Sequence, residues 1–245
     1  MIPFLPPNAP FPPVERALKR PDGLLAAGLD LSIETLARAY TRGIFPWFNA
    51  GDPILWWSPD PRMVLPCDEF HLSRTLRRRL NKRDVRVSLD EAFVQVVAAC
   101  AEPRDDQGGT WLVPAMQAAY RAMHEAGLAH SVEVWRGDRL VGGLYGVALG
   151  RMFFGESMVS RESDGSKVAI AWLAAQMIDW NMPLIDCQMA TEHLASLGAR
   201  SIPRRHFTQV VGALVTEPGP ARWRFDPELD PVSRLARASS APAKV

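Results

Sequence analysis

Apolar residues recur at two different periods along the chain, and the change of period organises it. Up to about residue 126 the spacing is helical. The run Ile33-Glu-Thr-Leu-Ala-Arg-Ala-Tyr-Thr-Arg42 predicts a helix with Ser32 as N-cap and Gly43 as terminator. Leu72, Leu76 and Leu80 fall on one face of a second helix within residues 71–86. A short strand is expected from Val85. Ser88-Leu-Asp-Glu91 then reads as the cap of a third helix reaching about Cys100, with Phe93, Val96 and Val97 inward. Residues 102–109 read as a charged loop, and a fourth helix spans Val113 to Ala126, closed by Gly127.

From Ser131 the period drops to two. Residues 131–136 and 139–149 alternate around a Gly137-Asp138 turn, Gly142-Gly143 mark a bulge, and 151–158 return as a third strand. An apolar helix follows Ser163 to Lys167 and ends near Trp180-Asn181, and Pro183 to Gln188 is a short strand. The sequence of three strands, helix, strand and helix predicts an α/β (α+β) fold with a mixed sheet flanked by helices. Prolines 3, 6, 7, 10, 12 and 13 hold the opening stretch extended as a surface lead-in, and residues 233–245 are expected to be a disordered tail.

Composition narrows the classes. With 245 residues and 47% hydrophobic content the chain can bury a sizeable core. The longest apolar runs, such as Val168 to Ala175, fall short of the roughly 18 residues needed to span a bilayer. No basic segment precedes an unbroken apolar stretch at the start, so no membrane partner is expected and the chain reads as cytoplasmic. Cys67, Cys100 and Cys187 are an odd set without CxxC spacing, which suits a reducing compartment. The histidines at 71, 124, 130, 193 and 206 show no HxH or HxxxH spacing, so no metal site is expected. Neither GxxxxGK[ST] nor GxSxG occurs, and no GxGxxG follows a strand.

Charge is balanced overall, with 28 Lys and Arg against 27 Asp and Glu, yet unevenly spread. Arg74, Arg77, Arg78, Arg79, Lys82, Arg83 and Arg86 stand against Asp84 alone, a local +6 that leaves −5 for the rest of the chain. Such a stretch is either a solvated helix face or a contact for a polyanion such as RNA. Aromatics at Trp47 and Trp111 could stack on an unpaired base. Asp186 and Gln188, two apart on an apolar strand, are expected on one face, either as a satisfied structural pair or as groups that position a nucleophile. Glu156, in Phe153-Phe-Gly-Glu-Ser-Met158, is suited to receive a guanidinium or ammonium, from an internal arginine or from a ligand.

Eight ordered motifs carry a family resemblance: Gly43-Ile-Phe-Pro-Trp-Phe48, Asp52-Pro-Ile-Leu-Trp-Trp-Ser-Pro-Asp-Pro-Arg62, Gly109-Thr-Trp111, His130-Ser-Val-Glu-Val-Trp135, Val141-Gly-Gly-Leu-Tyr-Gly146, Gly155-Glu-Ser-Met158, Leu184-Ile-Asp-Cys-Gln188 and Ala195-Ser-Leu-Gly-Ala199. Together they resemble the bacterial leucyl/phenylalanyl-tRNA protein transferases, from about Gly23 to Val215. The resemblance implies a small N-terminal domain (1–62), a catalytic domain of the acetyltransferase (GNAT) type (63–232) and transfer of Leu or Phe, with Met a further donor, from aminoacyl-tRNA to an N-terminal Arg or Lys, creating a degradation signal. It also implies roles for individual residues. Asp186 and Gln188 would orient and activate the acceptor amine, and Glu156 would bind the cationic acceptor. Trp47 and Trp111 would hold the terminal adenine, and Phe153, Met158, Ile170 and Ile185 would line the amino-acid pocket. Arg74, Arg77, Arg78, Lys82 and Arg83 are the expected tRNA contacts.

A monomer without a cofactor is expected. Leu144, Leu173 and Thr191 stand where better-known members carry Met, Phe and Asn, which bears on pocket volume. Two other readings compete. A CoA-dependent N-acetyltransferase is opposed by the missing [QR]xxGx[GA] loop before residue 166, and a non-enzymatic RNA-binding module would use the basic helix alone.

Overall fold

A computed structural model describes residues 1–102 and 111–239. The first elements are β1 (Phe4–Leu5), β2 (Leu24–Gly28), α1 (Ile33–Tyr40), β3 (Phe45–Pro46) and β4 (Leu55–Trp57). They are followed by β5 (Arg62–Pro66), α2 (Arg74–Asn81), β6 (Arg86–Leu89), α3 (Phe93–Ala101) and α4 (Pro114–Glu125). Then come β7 (Ala129–Arg136), β8 (Arg139–Leu149), β9 (Met152–Ser160), α5 (Gly165–Asp179), β10 (Leu184–Gln188), α6 (Glu192–Ala195), β11 (Arg200–Ile202), α7 (Arg204–Leu214) and α8 (Pro231–Ser239).

Two sheets organise these elements among the described residues. The small one has the order β1-β2-β4-β3 and the large one β11-β5-β10-β9-β8-β7-β6. Within the large sheet β9 and β10 pair in parallel and the other neighbours are antiparallel. A meander, a crossover helix and a parallel strand form the mixed sheet that the period change predicts. One hydrophobic cluster covers the face carrying α1, α3, α4 and the small sheet, and a second surrounds α5 on the opposite face.

Local chemistry explains why α1, α2 and α5 sit where they do. Ser32 and Ser73 cap α1 and α2 by accepting from the amides of Thr35 and Leu76. α5 is apolar on every side and is buried along most of its length, the position such a helix must take. Its first residue packs so tightly on β8 that a Cβ on Gly142 would lie 2.5 Å from the Gly165 backbone. The predicted bulge is present beside it, since Val134 and Trp135 pair with Gly142 and Leu140.

Three expectations are corrected. Ser88 is a strand residue in β6 and does not cap α3. Its hydroxyl donates to buried Glu133 (2.5 Å), whose carboxylate instead takes the amides of Glu91 and Ala92 at the helix start. The Pro-rich lead-in is partly interior, because β1 pairs with β2 and Phe11 packs edge-on against Trp56 at 4.9 Å. Residues 233–239 are helical within α8, where Leu235 is buried in the α5 cluster. The rest of the expected tail, from residue 240, lies outside the described residues, as does the expected charged loop beyond Glu102.

Candidate active site

β9 and β10 pair through Met152, Phe153 and Phe154 against Leu184, Ile185 and Asp186, and then part. β9 continues to Ser160, whereas β10 ends at Gln188, whose φ of +62° turns the chain away. A cavity of about 820 Å³ occupies the gap. Its wall draws on both hydrophobic clusters, with Trp111 and Tyr145 from one and Phe153 and Ile170 from the other.

Asp186 lines this cavity, ion-paired to Arg62 behind it. Arg62 donates from Nε to Asp186 Oδ1 (2.8 Å) and from Nη2 to Oδ2 (2.6 Å), and the Gln188 amide adds a third bond to Oδ1 (2.9 Å). Both side chains are buried, and the third guanidinium nitrogen donates to the Gly43 carbonyl (3.2 Å). Rings of Phe45 and Phe207 each lie 4.7 Å from the guanidinium carbon. Charge, hydrogen bonds and aromatic faces together offset the cost of removing both ions from water.

The expectation that Asp186 and Gln188 share a face rests on an unbroken period of two. The register breaks between them, and the left-handed Gln188 backbone redirects its side chain toward β9. There Gln188 Nε2 donates to Glu156 Oε1 at 2.8 Å.

Glu156 owes its direction to a second irregularity. Gly146 pairs with Gly155 and Tyr145 with Ser157, so Glu156 is the extra residue of a β-bulge. Tyr40 on α1 donates to its Oε1 (2.8 Å) and Tyr120 on α4 to its Oε2 (2.5 Å), which places the two hydroxyl oxygens 3.0 Å apart. Burial pushes the Glu156 carboxyl up to about 7, with Asp186 adding to the rise and the tyrosine hydrogen bonds and Arg62 opposing it. Burial likewise holds both phenols well above their ordinary range, so they remain donors. Among the described residues no arginine pairs with Glu156, so the internal salt bridge considered for it is not formed.

Phe153, Met158, Ile170 and Ile185 all line the cavity, joined by Leu144 and Leu173. Trp47 and Trp111 line it as well, and the Trp57 indole fixes Trp47 by donating to its carbonyl at 2.7 Å. Thr191 also reaches the wall and caps α6 by accepting from the Leu194 amide at 3.2 Å. Arg74, Arg77, Arg78, Lys82 and Arg83 are not brought into the cavity: they are exposed on and just after α2, which packs against α5 and α8.

Arg62, Tyr40, Tyr120 and Tyr145 have no role in the sequence reading. Arg62 alone carried a usable signal, as an ion opening the apolar run Met63-Val-Leu-Pro66, where a buried partner is obligatory.

The sequence profile of the leucyl/phenylalanyl-tRNA protein transferase family matches residues 64–212, and that of its N-terminal domain matches residues 29–60. Proteins named leucyl/phenylalanyl-tRNA protein transferase are similar over most of the chain. That of Nitrosomonas europaea is 56% identical over 227 residues, covering 92% of this chain and 96% of the relative. The Thiobacillus denitrificans protein is 57% identical over 88% and 95%, and the Bordetella petrii protein 55% over 91% and 91%, respectively. Among solved structures, that of L-PGS from Bacillus licheniformis matches at a TM-score of 0.37 and 12% identity, over 87% of this chain and 72% of that one, too distant to carry an argument. With both profiles in chain order and relatives above half identical along nearly their full length, the chain belongs to the leucyl/phenylalanyl-tRNA protein transferase family.

Proposed function

We propose that the chain, acting as a monomer in the cytoplasm, transfers Leu or Phe from aminoacyl-tRNA to the N-terminal Arg or Lys of a protein, marking it for degradation. The observation that carries this reading is the joining, in one cavity, of an apolar pocket and an anionic group that has no ion-pair partner among the described residues. Phe153, Met158, Ile170 and Ile185 offer the donor side chain a lining without hydrogen-bonding groups. Met158 adapts its shape to branched or aromatic occupants. Glu156 offers the acceptor its counter-charge.

The acceptor amine attacks the ester carbonyl carbon, the bond to the terminal ribose oxygen breaks, and the tRNA leaves as a hydroxyl after taking up a proton. An ester is already activated, so alignment of the amine supplies much of the rate. Gln188 is suited to this. Its Nε2 is spent on Glu156, which leaves Oε1 to accept from the incoming amine. Asp186 acts through Gln188, because its oxygens are committed to Arg62 and to the Gln188 amide. It orients rather than takes the proton.

Trp47 and Trp111 hold the terminal adenine by stacking. The exposed cations Arg74, Arg77, Arg78, Lys82 and Arg83 contact the tRNA backbone and contribute affinity without sequence information.

The test is transfer of labelled Phe or Leu from charged tRNA to peptides that begin with Arg, Lys or a neutral residue. Product is expected with the first two. Absence of product from folded protein with all of them refutes the proposal.

A further inference from the structure

Tyr145 lies on β8 opposite Ser157, next to the bulge that presents Glu156, and forms part of the cavity wall. Its side chain is 0% exposed, with its ring edge-on to those of Phe93 (5.9 Å) and Tyr120 (5.3 Å). Among the described residues the hydroxyl has no hydrogen-bond partner. Tyr40 and Tyr120, buried beside the same carboxylate, both donate to Glu156. A buried hydroxyl left unpaired is costly, whereas phenylalanine fills the same space without that cost. The fold therefore does not call for tyrosine here.

Glu156 shows what the hydroxyl can add. A carboxylate has about four lone-pair positions, and Tyr40, Gln188 and Tyr120 already occupy three of those on Glu156. An ammonium brings three N–H donors and a guanidinium five, and donors drawn out of water need acceptors. The one remaining position on Glu156 does not suffice. Tyr145 is close enough for the Glu156 charge to act on it, and burial keeps its phenol protonated, hence neutral and able to accept.

We infer that the Tyr145 hydroxyl is a second binding group for the acceptor, taking a hydrogen bond from the cationic side chain of its N-terminal residue. This rests on the reading of Glu156 as the acceptor site. It assigns the hydroxyl, carried on a ring that packs in the core, to substrate recognition.

Tyr145→Phe and Glu156→Gln, assayed side by side with charged tRNA and an Arg-starting peptide, test it. For Tyr145→Phe the acceptor KM should rise about tenfold, the size expected for one hydrogen bond to a charged group. The KM for charged tRNA should stay within about twofold, and Tm should hold or rise because an unpaired hydroxyl has been removed. A lower Tm would make the hydroxyl structural and overturn the inference, as would an unchanged acceptor KM or a rise in the donor KM instead. If Glu156→Gln raises the acceptor KM and Tyr145→Phe does not, only the Tyr145 assignment fails. Should neither variant move it, the Glu156 reading fails as well.

Discussion

Two carboxylates on neighbouring strands, buried Asp186 on β10 and half-buried Glu156 on β9, meet opposite fates. Asp186 has a full-time internal cation in Arg62, reached by two hydrogen bonds. Glu156 has neutral donors only, two phenols and an amide. The first is therefore spent on the fold. The second has no ion-pair partner among the described residues, and burial pushes its carboxyl up to about 7. A single cavity thus holds one anion with an ion-pair partner and one that neutral donors alone hold among the described residues, and the second is where a cationic substrate gains most.

The largest effect should come from breaking the satisfied pair. Arg62→Met leaves Asp186 buried without its counter-ion and should cost about 3–5 kcal/mol in denaturant unfolding. Arg62→Met combined with Asp186→Leu should cost less than the single change, because removing both ions also removes their desolvation. A double variant less stable than the single one would mean that the pair is not the isolated unit its geometry indicates.

An intermediate effect is expected at Glu156, and its sign is opposite. A carboxyl raised from 4.5 to about 7 in the folded protein loses stability as pH climbs from the lower value through the higher. Glu156→Gln removes that loss, so its advantage in Tm over the parent should appear above about pH 5 and level off past about pH 7.5. The acceptor should behave in reverse. Its KM in the parent should fall as pH rises through about 7 and the carboxylate forms, a trend reduced in Glu156→Gln. A parent whose unfolding tracks that of Glu156→Gln at every pH would remove the contrast between the two carboxylates.

How much of this was legible from the sequence depends on the distance over which each residue is paired. The N-cap Ser32, the leucine face of α2 and the β7–β9 meander all follow from neighbours a few residues apart. Phe153, Met158, Ile170 and Ile185, which the family resemblance groups around the donor side chain, line one cavity. The electrostatics of the site were not legible. Arg62 and Asp186 are 124 residues apart, and Tyr40 and Glu156 are 116 apart, so no local pattern couples them. The strand period was misleading at Gln188, because a register break and a positive φ reverse what strict alternation dictates. Helix α8 is hidden by its Ala- and Ser-rich composition, although buried Leu235 and the Arg234–Asp179 ion pair hold it against α5.

The smallest effect on the fold, and the one that separates surface from cavity, belongs to α2. Changing Arg77, Arg78 and Lys82 together to Gln should shift stability by no more than about 0.5 kcal/mol per site, since all three are exposed. It should raise the KM for charged tRNA and reduce the slope of log affinity against log salt by about 2–3. The order of preference among donor amino acids should not change. A shift in that order would place the basic helix inside the recognition of the amino acid.

The most direct measurement compares kcat/KM for two peptides, identical except that one begins with Arg and the other with citrulline, its near-isosteric uncharged counterpart. The parent protein should favour Arg strongly, by about tenfold or more for a desolvated charge pair. In Glu156→Gln that preference should collapse toward unity while transfer to citrulline persists. Retention of the full preference for Arg in Glu156→Gln would contradict the assignment of Glu156 as the group that receives the cation.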